Sequence, residues 1–147
     1  MADHALLDRR AIRLAETAAS RDDAIRRCGS VLVDIGAVEP EYVTAMLDRE
    51  RSISTYVGEG VAIPHGTLEG KDLVRRDALA VLRFPAGVDW DGAPVSVCVA
   101  IAARGDGHGA LLAALADVLL DPERAAELRA VTDPARVLAL LSTVEVP

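Results

Sequence analysis

The sequence predicts an α+β fold of the α/β sandwich type, a single mixed β-sheet flanked by helices on both faces. Three observations carry that expectation. The stretch "VSVCVAIAA", Val95 to Ala103, is apolar at both sets of alternating positions, as in a central strand covered on two sides. The periodic segments come in the order helix, helix, strands, helices, which suits a sheet with helical layers. The 147 residues are 51% hydrophobic yet only 3% aromatic, so the core has to be built from Ala, Val, Leu and Ile. A chain of this length forms one domain, 1–147, that buries roughly two-thirds of its unfolded surface.

The elements follow in order. Ala11 to Leu14 reads as a short strand. Ser20 then stands three residues before Asp23, an N-cap signal opening a helix whose apolar face is Ile25, Cys28, Leu32 and Ile35, with Gly36 as a left-handed terminator. Pro40 suits the first turn of a second helix, with Glu39 and Glu41 at its positive end and Tyr42, Val43, Met46 and Leu47 on its buried side. Helical spacing from Met46 puts Arg49 and Glu50 at or beyond the edge of that buried stripe, so at least one of them points toward a neighbouring loop.

From Ser54 the texture changes. Tyr56, Val57, Val61 and Ile63, punctuated by Gly58 and Gly60, read as a short strand broken by a tight turn, and Ile63 before Pro64 is biased to extended geometry. Ala78 to Phe84 and Pro94 to Ala102 are the strongest strand candidates, bounded by "RRD" and "PAG" and by "DGAP" and "RGDG". The last third is helical, with a stripe of Leu111, Leu112, Leu115, Val118 and Leu119. The proline starts at Asp121-Pro122 and Asp133-Pro134 lead into Ala125 to Val131 and Val137 to Leu141.

Charge and inventory exclude several function classes. The net charge of −7 and a pI near 4.9 argue against a nucleic-acid partner and an anionic membrane surface. Cys28 and Cys98 have neither CxxC nor zinc spacing and sit among apolar residues, which fits a reducing compartment. No apolar run reaches membrane-span length and the N-terminus is charged, so a cytoplasmic location without membrane insertion is expected. There is no HExxH or His/Cys cluster, no GxGxxG after a strand, no GxxxxGK[ST] and no GxSxG, so neither a metal nor a nucleotide cofactor is expected.

The chemistry-bearing stretch is "TYVGEGVAIPHGTLEG", Thr55 to Gly70. A lone histidine beside apolar residues is more often a packed residue than a reactive one. His65 departs from that pattern because Pro64 fixes the backbone before it, Gly66 opens the space after it, and Gly58 and Gly60 allow a second segment to approach. The site suits nucleophilic work. Neutral imidazole, the majority form at pH 7 from a reference pKa of about 6.5, offers one lone pair for attack on a phosphoryl group while its other nitrogen is held by a hydrogen bond. Arg49 is a candidate for a two-pronged contact to that group's oxygens. In "AARGDGHGALLAALADVL", His108 stands between the most apolar strand and a helix start, where sites are built, although His108 and Asp106 also read as plain loop and cap residues. His4 has no supporting feature.

Several of these motifs together are similar to a known family. "VEPEYVTAMLDRE", "TYVGEGVAIPHGTLEGKD", "FPAGVDW" and "VAIAARGDGH" followed by "LLAALADVL" resemble the enzyme IIA domains of the mannitol branch of the bacterial sugar phosphotransferase system, from about Arg21 to about Leu141. "PHG" is shared across the mannitol, fructose and nitrogen groups, whereas the pieces around "TY.GE" and "PHGT.E.KD" point to the mannitol branch. The resemblance implies a phosphocarrier that takes a phosphoryl group from phospho-HPr on Nε2 of His65 and passes it to a cysteine of enzyme IIB. Mannitol is then phosphorylated while the membrane enzyme IIC imports it.

By the same resemblance His108 and Arg49 hold the phosphoryl group, and Glu59 pairs with Arg49. No cofactor is implied, because donor and acceptor are both protein side chains. Gly107 and Gly109 depart from the family pattern, in which larger residues flank the second histidine. No IIB or IIC segment is attached, so action in trans is expected. The rival readings are a nitrogen-type regulatory or fructose-specific enzyme IIA, and a non-catalytic module in which His65 only packs. Exposure of His65 with Arg49 and His108 close by would set the last one aside.

Overall fold

In the computed structural model, which describes residues 6–104 and 107–141 apart from the side chains of Leu68 and His108, the core is a mixed five-stranded sheet ordered β1-β4-β5-β3-β2. The strands are β1 (Leu7–Arg13), β2 (Tyr56–Gly58), β3 (Val61–Ala62), β4 (Ala78–Trp90) and β5 (Ala93–Ala102). The β1–β4 and β3–β5 pairs are parallel, the β4–β5 and β2–β3 pairs antiparallel. As its two apolar faces require, β5 occupies the middle of the sheet.

Helices α1 (Arg21–Asp34) and α2 (Tyr42–Ser52) cover one face, and α3 (Gly107–Leu119), α4 (Pro122–Ala130) and α5 (Pro134–Leu140) cover the other. Strand alternation sorts the core between them. Ala78, Ala80, Leu82, Cys98, Ala100 and Ala102 face α1 and α2. Leu79, Val81, Val97, Val99 and Ile101 face α3 to α5. Two buried layers on one sheet are thus made almost entirely from aliphatic side chains.

Local chemistry accounts for the ends of α1. Ser20 Oγ accepts from Asp23 N at 3.1 Å, and Asp23 Oδ2 accepts in return from Ala19 N at 2.9 Å. At the other end Gly36 has φ +75°, while Ala37 N donates to Leu32 O and Gly36 N to Val33 O, the paired bonds of a Schellman stop. Ser20→Ala should therefore cost about 1 kcal/mol in urea unfolding. The Ala19 backbone bond, aided by Arg27, holds the Asp23 carboxyl below its ordinary range. A depressed folded value stabilises above the unfolded carboxyl range and is lost as pH falls through the folded value. Asp23→Asn should accordingly destabilise the protein at pH 7 and lose that effect in strong acid.

Three elements differ from the sequence expectation. β1 starts at Leu7, earlier than Ala11, because an edge strand tolerates the polar Asp8-Arg9-Arg10 stretch and pairs with β4 around a register shift between Leu7 and Ile12. β4 does not stop at "PAG". It runs through Pro85, Ala86 and Gly87 to Trp90 by shifting register between Arg83 and Val88, with Gly87 at φ +78°. A 3-10 helix, Leu68–Leu73, follows Thr67, whose side chain accepts from Gly70 N. Its Gly70 lies so close to α2 that an added Cβ would sit 2.8 Å from Ala45 Cβ.

Candidate functional site

His65 lies where the chain leaves β3 beside the C-terminal end of β5. It forms a parallel bridge with Ile101, and Ile101 N donates to Pro64 O at 2.9 Å. Ile63 N donates to Thr55 O at 3.0 Å on the opposite side, so the segment is gripped from both flanks. The imidazole Nδ1 is 2.8 Å from Ile63 O. A carbonyl can only accept, so Nδ1 carries the hydrogen and Nε2 carries the lone pair. Backbone geometry has selected the tautomer.

The ring is 4% exposed. The exposure that would have set aside the packing reading is therefore not seen, and the flanking strands and the residue beneath the loop account for the burial. That residue is Tyr42, the first of α2. Its hydroxyl donates to Ile101 O at 3.0 Å and accepts from Gly66 N at 2.9 Å, tying the end of β5 to the residue after the histidine. Gly66 is required by this contact, since a Cβ there would lie 2.5 Å from Tyr42 Cε1. Burial raises the Tyr42 phenol above its ordinary value, against a smaller opposing pull from the Gly66 bond, so it stays protonated and can donate. Sequence pattern marked Tyr42 only as a buried position on α2, because the partners of its hydroxyl lie 24 and 59 residues away. Tyr42→Phe leaves both partners without their bond and should cost about 2 kcal/mol in urea unfolding.

Arg49 sits in the last turn of α2 and its Nη1 donates to Ile53 O at 2.6 Å, closing the loop after the helix. Glu59 is not its partner. Among the described residues Glu59 pairs with Arg129 of α4, at 3.8 Å between Nη1 and Oε2, and the same Nη1 donates to the Glu59 carbonyl. The reason is the hairpin: Glu59 and Gly60, both at positive φ (57° and 73°), make the two-residue turn between β2 and β3. That turn presents Glu59 to α4. His108 is the second residue of α3, the helix that follows β5 in the chain. The His108 side chain is outside the described residues, as are Asp106 and His4.

Neither thiol rivals the histidine as a nucleophile. Cys28 and Cys98 are both fully buried, and burial, reinforced by Cys28, pushes the Cys98 thiol well above its ordinary value.

A family model described as "Phosphoenolpyruvate-dependent sugar phosphotransferase system, EIIA 2" matches residues 5–144. The chain belongs to this enzyme IIA family. It is 39% identical over 139 residues to the mannitol-specific phosphotransferase enzyme IIA component of Halalkalibacterium halodurans, covering 95% of this chain and 96% of that protein. It is 42% identical over 137 residues to the multiphosphoryl transfer protein of Xanthomonas campestris, covering 92% of this chain. This chain spans only 16% of that larger protein's length, and 22% of the mannitol-specific EIICBA component of Vibrio cholerae.

Among solved structures, the mannitol enzyme IIA of Escherichia coli, in complex with phosphorylated mannitol enzyme IIB, superposes with a TM-score of 0.86 at 37% identity, over 93% of this chain and 99% of that one. The enzyme IIA fold is thus the five-stranded sheet with helices on both faces described above. As a member of the family the chain is a phosphotransferase component. No helix among its described residues is long and apolar enough to cross a membrane.

Proposed function

We propose that the chain is a mannitol-type enzyme IIA phosphocarrier, acting as one cytoplasmic domain over residues 1–147. It accepts a phosphoryl group from phospho-HPr on His65 and passes it to the active-site cysteine of a mannitol-specific enzyme IIB, which serves membrane enzyme IIC. The observation that supports His65 most is its Nδ1–H held 2.8 Å from the Ile63 carbonyl, which leaves the lone pair on Nε2.

In the first step the Nε2 lone pair attacks phosphorus in line, the P–N bond to the donor imidazole breaks, and that imidazole recovers its own lone pair. No proton need move on His65, because Nδ1 keeps its hydrogen throughout. In the second step the IIB thiolate attacks the same phosphorus and Nε2 is the leaving group. Charge spreads over the three phosphoryl oxygens in both steps, so donors fixed in advance contribute most of the catalysis.

Arg49 is assigned to those oxygens. One of its five N–H bonds is spent on Ile53 O, which fixes the guanidinium while another edge remains for the phosphoryl group. His108, at the start of α3, is assigned to the same oxygens, where the helix N-terminus favours negative charge. Glu59, held by Arg129, is given no contact to the phosphoryl group.

Incubation with enzyme I, HPr and phosphoenolpyruvate should add one acid-labile, base-stable phosphoryl group, followed by intact mass. The loaded protein is then offered to enzyme IIB of mannitol and of fructose type. Faster discharge to the mannitol IIB is the expected result. Faster discharge to the fructose IIB overturns the sugar assignment, and loading without discharge to either one favours the nitrogen-type regulatory reading.

A further inference from the structure

Glu50, the residue after Arg49, is 4% exposed, contrary to its expected place at the edge of the α2 stripe. A buried carboxylate is costly, and in the last turn of a helix it also faces the negative end of the dipole. Three donors surround it. Thr55 N lies 3.0 Å from Oε2, Thr55 Oγ1 2.5 Å from Oε1, and Trp90 Nε1, from the end of β4, 3.0 Å from Oε2. Thr55 and Trp90 are themselves buried, at 3% and 1% exposure.

The bonds continue in one direction. Thr55, held by Glu50 at its N–H and hydroxyl, accepts from Ile63 N through its carbonyl at 3.0 Å. Ile63 in turn accepts from His65 Nδ1 at 2.8 Å. The Ile53 carbonyl that holds Arg49 lies two residues before Thr55 in the same loop. A carboxylate anchored to Trp90 therefore fixes the peptide that selects the His65 tautomer and the loop that aims Arg49.

We propose that Glu50 is a positioning residue for the phosphoryl-accepting ring, acting through Thr55 and Ile63. This rests on the reading of His65 as the phosphoryl carrier. The role is one of acceptor geometry and not of charge. Oε2 takes two N–H donors and must remain an oxygen, whereas Oε1 meets a hydroxyl that can turn to accept. Glutamine, with its amide nitrogen at the Oε1 place, satisfies all three partners. Methionine fills the same space and satisfies none.

The test compares wild type, Glu50→Gln and Glu50→Met by ¹⁵N NMR of the His65 ring and by the rate of loading from phospho-HPr. Glu50→Gln should keep the Nδ1–H tautomer and a near wild-type rate. Glu50→Met should show a mixture of tautomers and slow loading by about ten-fold or more, in kcat and not in KM, since misplacement of a reacting group acts on the chemical step.

A folded Glu50→Met with wild-type tautomer and rate overturns the proposal, as does a Glu50→Gln variant as impaired as Glu50→Met. Should Glu50→Met fail to fold, the combination of Thr55→Val and Trp90→Phe removes two of the three donors, keeping the bulk at position 55 and an apolar ring at position 90, and is read by the same two criteria. If wild type takes no phosphoryl group on His65, the functional reading fails, while the tautomer comparison still decides the clamp.

Discussion

In the His65→Ala variant, loading from phospho-HPr should be abolished and the intact mass should stay that of the unmodified chain. The effect is total because nothing else in the described structure offers an equivalent nucleophile. The Tyr42 hydroxyl is committed to Ile101 O and Gly66 N, and burial disfavours its ionised form. The Cys98 thiol is fully buried and its ionisation is pushed up by the same cause.

Folding should survive the change. The variant gives up the buried hydrogen bond from Nδ1 to Ile63 O, worth about 1 kcal/mol, and leaves a cavity where the ring packed, so circular dichroism melting should show a lowered but still cooperative transition. In wild type the phosphorus should be bonded to Nε2, which ³¹P–¹⁵N correlation reads directly. Phosphorus on Nδ1 would contradict the tautomer that the Ile63 carbonyl imposes. Full loading of His65→Ala would move the carrier role elsewhere, and His108 would be the first residue to examine by the same substitution.

The parts of this molecule that were legible in its sequence are those determined by neighbours in the chain. The reciprocal Ser20 and Asp23 cap, the Gly36 stop and the central placement of the doubly apolar β5 all follow from spacing within a dozen residues. The parts that were not legible depend on partners far along the chain. Glu50 reads as a helix-edge residue until Trp90 is brought to it across 40 positions. For Glu59 the family resemblance implies pairing with Arg49, but the tight turn after Gly58 delivers it to Arg129, 70 positions away.

The continuation of β4 through Pro85 was hidden for another reason. Proline and glycine usually end strands, and here they lie in the bulge where β4 and β5 change register, so the missing N–H interrupts no regular ladder. His65 is singled out by its flanking Pro64 and Gly66, and only the family resemblance turns it into the candidate carrier. Its burial was not, because the side chain beneath it belongs to a helix that begins 23 residues earlier.

Gly66→Ala shows how tightly that helix and the histidine loop are coupled. The added Cβ would lie 2.5 Å from Tyr42 Cε1, 2.8 Å from Cζ and 3.0 Å from the hydroxyl oxygen. Backbone strain is not the issue, since Gly66 is not among the glycines at positive φ. Tyr42 has nowhere to retreat: it is 3% exposed and its hydroxyl is bonded on two sides. The loop must therefore move, carrying His65 with it, or the tyrosine must give up both bonds. Overpacking of this kind costs about 1–3 kcal/mol, and a shift of the nucleophile by about 1 Å costs on the order of a hundred-fold in rate. Gly66→Ala should lower the urea midpoint and reduce loading of His65 far more than the stability loss alone explains.

Substitution of the facing residue separates the two causes. Tyr42→Phe removes the hydroxyl but leaves the ring carbon that the Cβ meets, so combined with Gly66→Ala it should not restore activity. Tyr42→Ala removes the ring, and with Gly66→Ala it should be less impaired than the two single variants taken together predict, the favourable coupling expected of two residues in contact. Additive losses in that pair would mean that the loop is held by something other than the tyrosine ring, and the two-sided grip on His65 would have to be assigned to the β5 and Thr55 backbone bonds alone.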